Sequence, residues 1–250
     1  MQGSPTSIFG DGTPADGVPA NRSFADLHCH TSASFDSLSK PASVVRAAAA
    51  RGLTHLAITD HDRLDGAFAA QDSAPAELTV IVGQEVRTTG GDLIGLFLER
   101  PIGVGLSSAD AAQAIREQGG LVGLPHPFDR FRSSGGRRAN EAELEALRGY
   151  IDYVEIWNAR IMLGDGNRRA AEFAQAAGLP GVAVSDAHTV LEVGVAYTIA
   201  DGPFDTAEQV RDALPGARLV MGRASRLVRA GMPLAKMIQR ARGNRRVAAQ

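Results

Sequence analysis

The feature that most narrows what this chain can fold into is the order of its apolar segments. From Phe24 onward, short apolar runs of strand length alternate with amphipathic stretches of helix length. Phe24–His28, Thr54–Thr59, Leu78–Val82, Leu93–Leu98, Leu121–Leu124, Tyr153–Ile156, Val182–Val184, Val195–Ile199 and Leu219–Met221 read as strands. Pro41–Arg51, Ser108–Gln118, Glu141–Leu147, Asp165–Ala177 and a stretch from Thr206 read as helices. Pro41 sits where a first helical turn accepts proline, and Gly52, Gly119 and Gly178 stand where helices stop. Such alternation predicts a parallel α/β architecture, barrel-like or doubly wound. Thr88-Thr89-Gly90-Gly91 predicts one hairpin turn within it. One barrel can use all 250 residues, and no linker divides the chain convincingly.

Composition and charge remove several alternatives. With 44% apolar and 22% charged residues, wholesale disorder is excluded. The single cysteine, Cys29, rules out an internal disulfide and fits a reducing compartment, so a cytoplasmic location is expected. No apolar run reaches the roughly 18 residues of a membrane helix, and no membrane partner is expected. Residues 1–23 are rich in turn formers and read as a flexible leader without the apolar stretch of a secretory signal. Residues 24–223 read as the globular domain and 224–250 as a basic, partly helical tail. The net charge of −2 conceals an asymmetry, because no acidic residue follows Asp212 while nine Lys/Arg lie from Arg218 onward. A basic tail on an acidic body predicts contact with a polyanion or with the body itself, unless it is simply solvated.

Five of the six histidines lie in short polar clusters at the C-terminal ends of predicted strands. These are Asp26-Leu27-His28-Cys29-His30, Thr59-Asp60-His61-Asp62, Pro125-His126-Pro127 and Ser185-Asp186-Ala187-His188, and Gly83-Gln84-Glu85 ends another strand in the same way. Loops after the strands build the active sites of barrels and open α/β sheets, so the clusters are expected to converge on one mouth. Imidazole and carboxylate are ligands of borderline and hard divalent ions. On an extended segment His28 and His30 share a face with Cys29 opposite, and Asp186 and His188 repeat the spacing. With Asp36, His61, Glu85 and His126 the donors exceed the needs of one tetrahedral ion. Two or three ions bridged by Glu85 are expected. His55 precedes a strand, has no partner cluster and reads as structural or surface.

These ordered segments, HxH, TDHD, G-x-E, PHP and SDAH, resemble the PHP (polymerase and histidinol phosphatase) superfamily from about Phe24 to Arg223. The resemblance implies a distorted (β/α)7 TIM-like barrel, a site for two or three Mn, Fe or Zn ions, and phosphoesterase chemistry by ion-activated water. It implies that His28, His30, Glu85 and Asp186 hold a first ion, that Asp36, His61 and His188 hold a second, and that Glu85 bridges to a third with His126. In the nucleotide-phosphatase branch a histidine in the next strand completes the third site; here the position corresponds to Asp92, either an oxygen ligand or a weakening of that site. The chain also has room for only one helix between Phe97 and His126, where that branch carries an inserted region, so a less covered site is expected.

Three divalent ions would outweigh Asp36, Glu85, Asp186 and a hydroxide, leaving a site that attracts phosphate. Cys29 is followed by no C-x5-R loop, which speaks against thiol phosphatase chemistry. Asp26 and Asp60 are expected to orient imidazoles by accepting their remaining ring N–H, and Asp62 to do so or to cap the next helix. Arg130, Arg132, Arg160 and Asn158 are the expected substrate contacts, with Arg137 and Arg138 weaker. Trp157 could stack on a base but reads better as core. The leading expectation is an enzyme hydrolysing a small phosphomonoester or nucleotide. The alternatives are an oligonucleotide-trimming exonuclease using the basic tail, and a non-catalytic metal-binding accessory module.

Overall fold

A computed structural model describes residues 22–129, 147–225, 228 and 230–247. The strands are β1 (Arg22–Cys29), β2 (His55–Ile58), β3 (Thr79–Arg87), β4 (Asp92–Leu96), β5 (Leu121–Leu124), β6 (Tyr153–Asn158), β7 (Gly181–Val184), β8 (Tyr197–Asp201) and β9 (Arg218–Val220). The helices are α1 (Pro41–Ala50), α2 (Asp65–Asp72), α3 (Ser108–Arg116), α4 (Gly166–Ala177), α5 (Ala207–Ala213) and α6 (Met232–Ala241). The predicted helix at 141–147 lies, but for Leu147, outside the described residues, as does nearly all of the expected leader. No helix among the described residues is long and apolar enough to cross a membrane.

The strands form one sheet in the order β7-β6-β5-β4-β3-β2-β1-β8-β9. It bends round until the end of β1 meets the segment after β7, where Cys29 and Ala187 form a parallel bridge and the His30 amide donates to Ala187 O at 2.8 Å. The result is a distorted TIM-like barrel, as the resemblance implied. The sheet is mixed, and the hairpin expected at Thr88–Gly91 is one of its two departures from parallel pairing. β4 runs antiparallel to both β3 and β5, and β8 is antiparallel to β1 and β9. The first reversal has a local cause: only Thr88–Gly91 separate β3 from β4, enough for a hairpin and too few for a crossover.

Side-chain alternation splits the apolar residues between two layers. Leu27, Ala57, Ile81, Ile94, Leu96, Leu121, Tyr153 and Val182 fill the barrel, whereas Val44, Val45, Leu56, Ile58, Ile115 and Ala170 pack between sheet and helices. The Tyr153 ring occupies the space that a side chain at Gly123 would need, since a Cβ there would lie 2.3 Å from Tyr153 Cζ.

Two buried aspartates hold the tips together, and neither plays the role expected of it. Asp26 closes the seam: Oδ1 accepts from the Ser185 amide at 3.0 Å and Oδ2 from the Gly194 amide at 3.0 Å. Asp60 accepts from the Thr31 amide and hydroxyl, both at 2.6 Å, tying the tip of β2 to the loop after β1. What these carboxylates fix is backbone, because backbone N–H groups reach them first; neither accepts from an imidazole. Burial raises both above the ordinary aspartate range, Asp60 to about 6.

Gly66, in the first turn of α2, makes this tie possible, since a Cβ there would lie 2.0 Å from Asp60 Oδ2 and 2.3 Å from Thr31 Oγ1. Gly66→Ala is therefore expected to destabilise the protein by about 1–3 kcal/mol. Gly103→Ala, with nothing within 4 Å of the new methyl, is expected to change stability by less than about 0.5 kcal/mol. Urea midpoints at unchanged m-value measure both; equal midpoints for the two variants would contradict the packing argument.

Candidate metal centre

The site is built from strand ends. The pairing of β1 with β2 shifts register between Asp26 and Cys29, an irregularity that re-aims the end of the strand. His28 and His30 then face one another, Nε2 to Nε2 at 2.9 Å, while the Cys29 thiol turns away to lie 3.4 Å from Ser185 Oγ. β6 carries a second shift, between Glu155 and Trp157. The loops add strain. Asp62, His126 and Asp186 have positive φ angles of 60°, 29° and 51°, a region that side chains other than glycine seldom enter.

Glu85, at the end of β3 and almost without solvent exposure, is the centre. Its Oε2 lies 3.3 Å from His28 Nε2, 3.3 Å from His30 Nε2 and 3.2 Å from His61 Nδ1, and its Oε1 lies 3.3 Å from His126 Nε2. Two groups of potential ligand atoms flank it. His28, His30 and Asp186 form one, with Asp186 Oδ1 3.8 and 3.7 Å from the two ring nitrogens. His30, Asp36, His61 and His188 form the other, with Asp36 Oδ2 3.5 Å from His61 Nε2 and 3.3 Å from His188 Nε2. Eight of the nine residues expected as ligands thus meet in one buried pocket.

The donor set fits divalent ions. Ring nitrogens and carboxylate oxygens oppose one another in a pocket where burial makes isolated charge costly. Burial alone would raise Glu85, yet His61, His126, His28 and His30 hold it well below the carboxylate range. Burial likewise lowers His28, but Glu155 and Glu85 outweigh it and raise the ring to about 10. Glu85 and Asp36 stay ionised only because positive charge stands beside them, and divalent cations supply such charge without protons.

The ninth expected ligand is differently placed. Asp92 Oδ1 accepts from Arg246 Nη2 at 2.9 Å, so an arginine engages the carboxylate expected at the third ion. Two expected substrate contacts are supports instead. Asn158 spends its amide N–H groups on Glu155 Oε2 at 3.0 Å and Asp186 Oδ2 at 2.9 Å, and its oxygen accepts from the Arg160 amide. Arg160 is buried and donates to His188 Nδ1 and, at 3.4 Å, to the Asp186 carbonyl. Arg130, Arg132, Arg137 and Arg138 lie outside the described residues. Asp62 braces the β3 end, accepting from the Arg87 amide at 2.9 Å. Trp157 donates to Gly222 O at 2.7 Å, and His55 lies 3.5 Å from Asp205.

Sequence reasoning missed Glu155. This fully buried residue of β6 accepts from His28 Nδ1 at 2.6 Å, from the His126 amide at 3.1 Å and from Asn158. It does for His28 what Asp26 and Asp60 were expected to do for the imidazoles. The available signal was a glutamate inside the apolar run Tyr153-Val154-Glu155-Ile156, where a charge is seldom buried without a partner.

A mixed barrel whose strand tips pool imidazoles and carboxylates defines a candidate site for divalent ions. A PHP domain model matches residues 26–133 and a PHP-associated model residues 164–218. The chain is 34% identical over 172 residues to the uncharacterized protein MJ0417 of Methanocaldococcus jannaschii, covering 69% of this chain and 68% of that one. It belongs to the PHP domain family. Among solved structures it resembles a two-domain Bacteroides vulgatus protein containing a predicted PHP-like metal-dependent phosphoesterase, with a TM-score of 0.68 at 18% identity over 80% of this chain and 65% of that one. It also resembles a lesion-specific endonuclease of Pyrococcus furiosus, with a TM-score of 0.57 at 18% identity over 79% and 57%. At these identities the two likenesses concern the fold alone, and the chain spans less than two thirds of either protein.

Replacing Glu155 by glutamine keeps the shape and removes the charge that fixes His28. Glu155→Gln is expected to weaken manganese binding about 10–100-fold while the protein stays folded. Calorimetric titration of the metal-free protein measures it, and wild-type affinity in the variant would refute this role.

Proposed function

We propose that this chain is a metal-dependent phosphoesterase that hydrolyses a small phosphomonoester or a nucleotide. The observation that carries the reading is the sharing of the Glu85 carboxylate by four imidazoles from three separate strand ends. In this reading His28, His30, Glu85 and Asp186 hold one ion, Asp36, His61 and His188 a second, and Glu85 with His126 a third; Asp92 is left out because Arg246 engages it. Bound manganese, iron or zinc would lower the pKa of water and neutralise phosphate oxygens, so hydrolysis needs no nucleophilic side chain. The protein's part is positional. Glu155 fixes His28, Asn158 links Glu155 to Asp186, and Arg160 supports His188. Cys29 takes no part, since burial and the neighbouring Asp26 push its thiol well above the ordinary range. A buried, reduced thiol suits the cytoplasmic location we infer.

The nuclease reading has one observation in its favour, the exposed Arg240, Arg242 and Arg245 of the C-terminal segment. The segment is not a free arm, however, and cutting it away would also disturb the site loop it holds. Point substitutions separate the two activities. Arg242→Gln with Arg245→Gln is expected to leave release of phosphate from small monoesters within about twofold. Salt-dependent loss of oligonucleotide cleavage in that variant would favour the nuclease.

Chelation followed by manganese is the direct test. Phosphate release from a panel of sugar phosphates and nucleotides should disappear with chelator and return with manganese, iron or zinc. His28→Ala with His30→Ala should remain folded and lose at least about 100-fold of the activity. Full turnover by exhaustively metal-free protein would end the proposal, and unchanged biological activity of the double variant would favour an accessory module.

A further inference from the structure

The acid-free C-terminal segment is folded onto the mouth of the site. Gln239, the buried residue of α6, donates through Nε2 to Ser32 O at 2.8 Å, Ser34 O at 2.9 Å and Ser37 O at 2.5 Å. Asn244 Nδ2 donates to Ser32 O, Ala33 O and Ser34 O at 3.3, 3.0 and 3.3 Å. Two amides from the end of the chain thus grip the loop that carries Asp36, and Arg87 donates to the Val247 carbonyl beyond them.

This docking delivers Arg246 to a prepared position. Nε donates to Asp62 Oδ2 at 3.2 Å and Nη2 to Asp92 Oδ1 at 2.9 Å. The guanidinium carbon lies 5.7 Å from the centre of the Phe35 ring, which lies 5.0 Å from that of His61. Burial works against its charge, but Asp92, Glu85 and Asp62 more than restore it. Asp62 and Phe35, which it meets, adjoin His61 and Asp36 in the chain, so it stands beside the ligand cluster. Nη1 has no hydrogen-bond partner among the described residues. An arginine held by carboxylates on two of its nitrogens beside a cluster of cation ligands, with Nη1 not used in those bonds, is pre-oriented to receive an anion.

We propose that Arg246 is a substrate-binding residue of this site, meeting the phosphate oxygens of the substrate through Nη1. The proposal rests on the phosphoesterase reading and names the residue that recognises the anion. Arg160, the one expected arginine among the described residues, does not fill the role, because it is buried behind His188. The arrangement also gives the basic tail a purpose distinct from its exposed Arg240, Arg242 and Arg245. The cation that matters is the half-buried one, locked in place before substrate arrives.

Inorganic phosphate is the probe. Calorimetry on the full-length, manganese-loaded protein compares wild type with Arg246→Gln and Arg246→Lys, and manganese content is measured on the same samples. The expected result is full manganese retention in both variants, with phosphate affinity lower by about tenfold or more in Arg246→Gln and by less in Arg246→Lys. Phosphate binding by Arg246→Gln within twofold of wild type would overturn the proposal and leave the phosphoesterase reading intact. Loss of manganese together with phosphate in both variants would make Arg246 a brace for the loop and overturn it too. A wild-type protein that binds neither manganese nor phosphate would remove both readings.

Discussion

The structure depends on one carboxylate. Glu85 is buried, ionised and beside four imidazoles, and its backbone is held as tightly as its side chain. Its amide donates to Thr59 O at 3.2 Å and Asp60 O at 3.3 Å, and its carbonyl accepts from the Asp62 amide at 3.0 Å. The end of β3 therefore fixes the turn that presents His61 as firmly as it fixes Glu85 itself. A buried carboxylate surrounded by neutral groups would be expelled or protonated. Here four imidazole nitrogens lie 3.2–3.3 Å from its oxygens, so the charge that costs most to bury organises what surrounds it.

Around that centre the fold departs from regularity, and the departures fall at the site, apart from the positive φ of 61° at Phe97. The shift in β1 turns His28 and His30 into the mouth without moving Leu27 out of the barrel, and the shift in β6 lets Glu155 and Asn158 serve one cluster. Asp62, His126 and Asp186 hold positive φ angles that glycine would adopt at less cost. Glycine there would relieve strain and lose the donor. Hydrogen bonds over-determine these places, such as the His126 amide to Glu155 and the Asp186 carboxylate to Asn158.

What the residues disclosed beforehand follows from the reach of each interaction. His28, His30, His61, His126, Asp186 and His188 were legible because short polar clusters at strand ends are local patterns and a barrel gathers strand ends. Strand order and direction were less so. The reversal at β4 follows from a short connection, whereas that of β8 depends on long-range pairing with Arg22–Ala25. The wrong roles given to Asp26 and Asp60 have a similar source. Sequence places them beside the histidines, but the register shift after Asp26 separates its face from that of His28, and Asp60 lies beyond β2, where the Thr31 amide and hydroxyl meet it. Glu155 lies more than a hundred residues from His28, so only the fold could pair them.

The C-terminal segment shows how charge asymmetry should be read. A run of arginines after the last acidic residue suggests a free polycation, yet this one is sorted by its neighbours. Gln239 and Asn244, both uncharged, make the attachment by meeting the backbone carbonyls of Ser32, Ala33, Ser34 and Ser37. The attachment costs no buried charge, and it leaves the arginines to divide by position. Arg240, Arg242 and Arg245 stay in water, where screening weakens them. Arg246 is drawn between Asp62 and Asp92 on a half-buried face, where its field acts at short range on Glu85. On the proposed phosphoesterase reading, Arg246 offsets the charge of Asp62 and Asp92 beside the site.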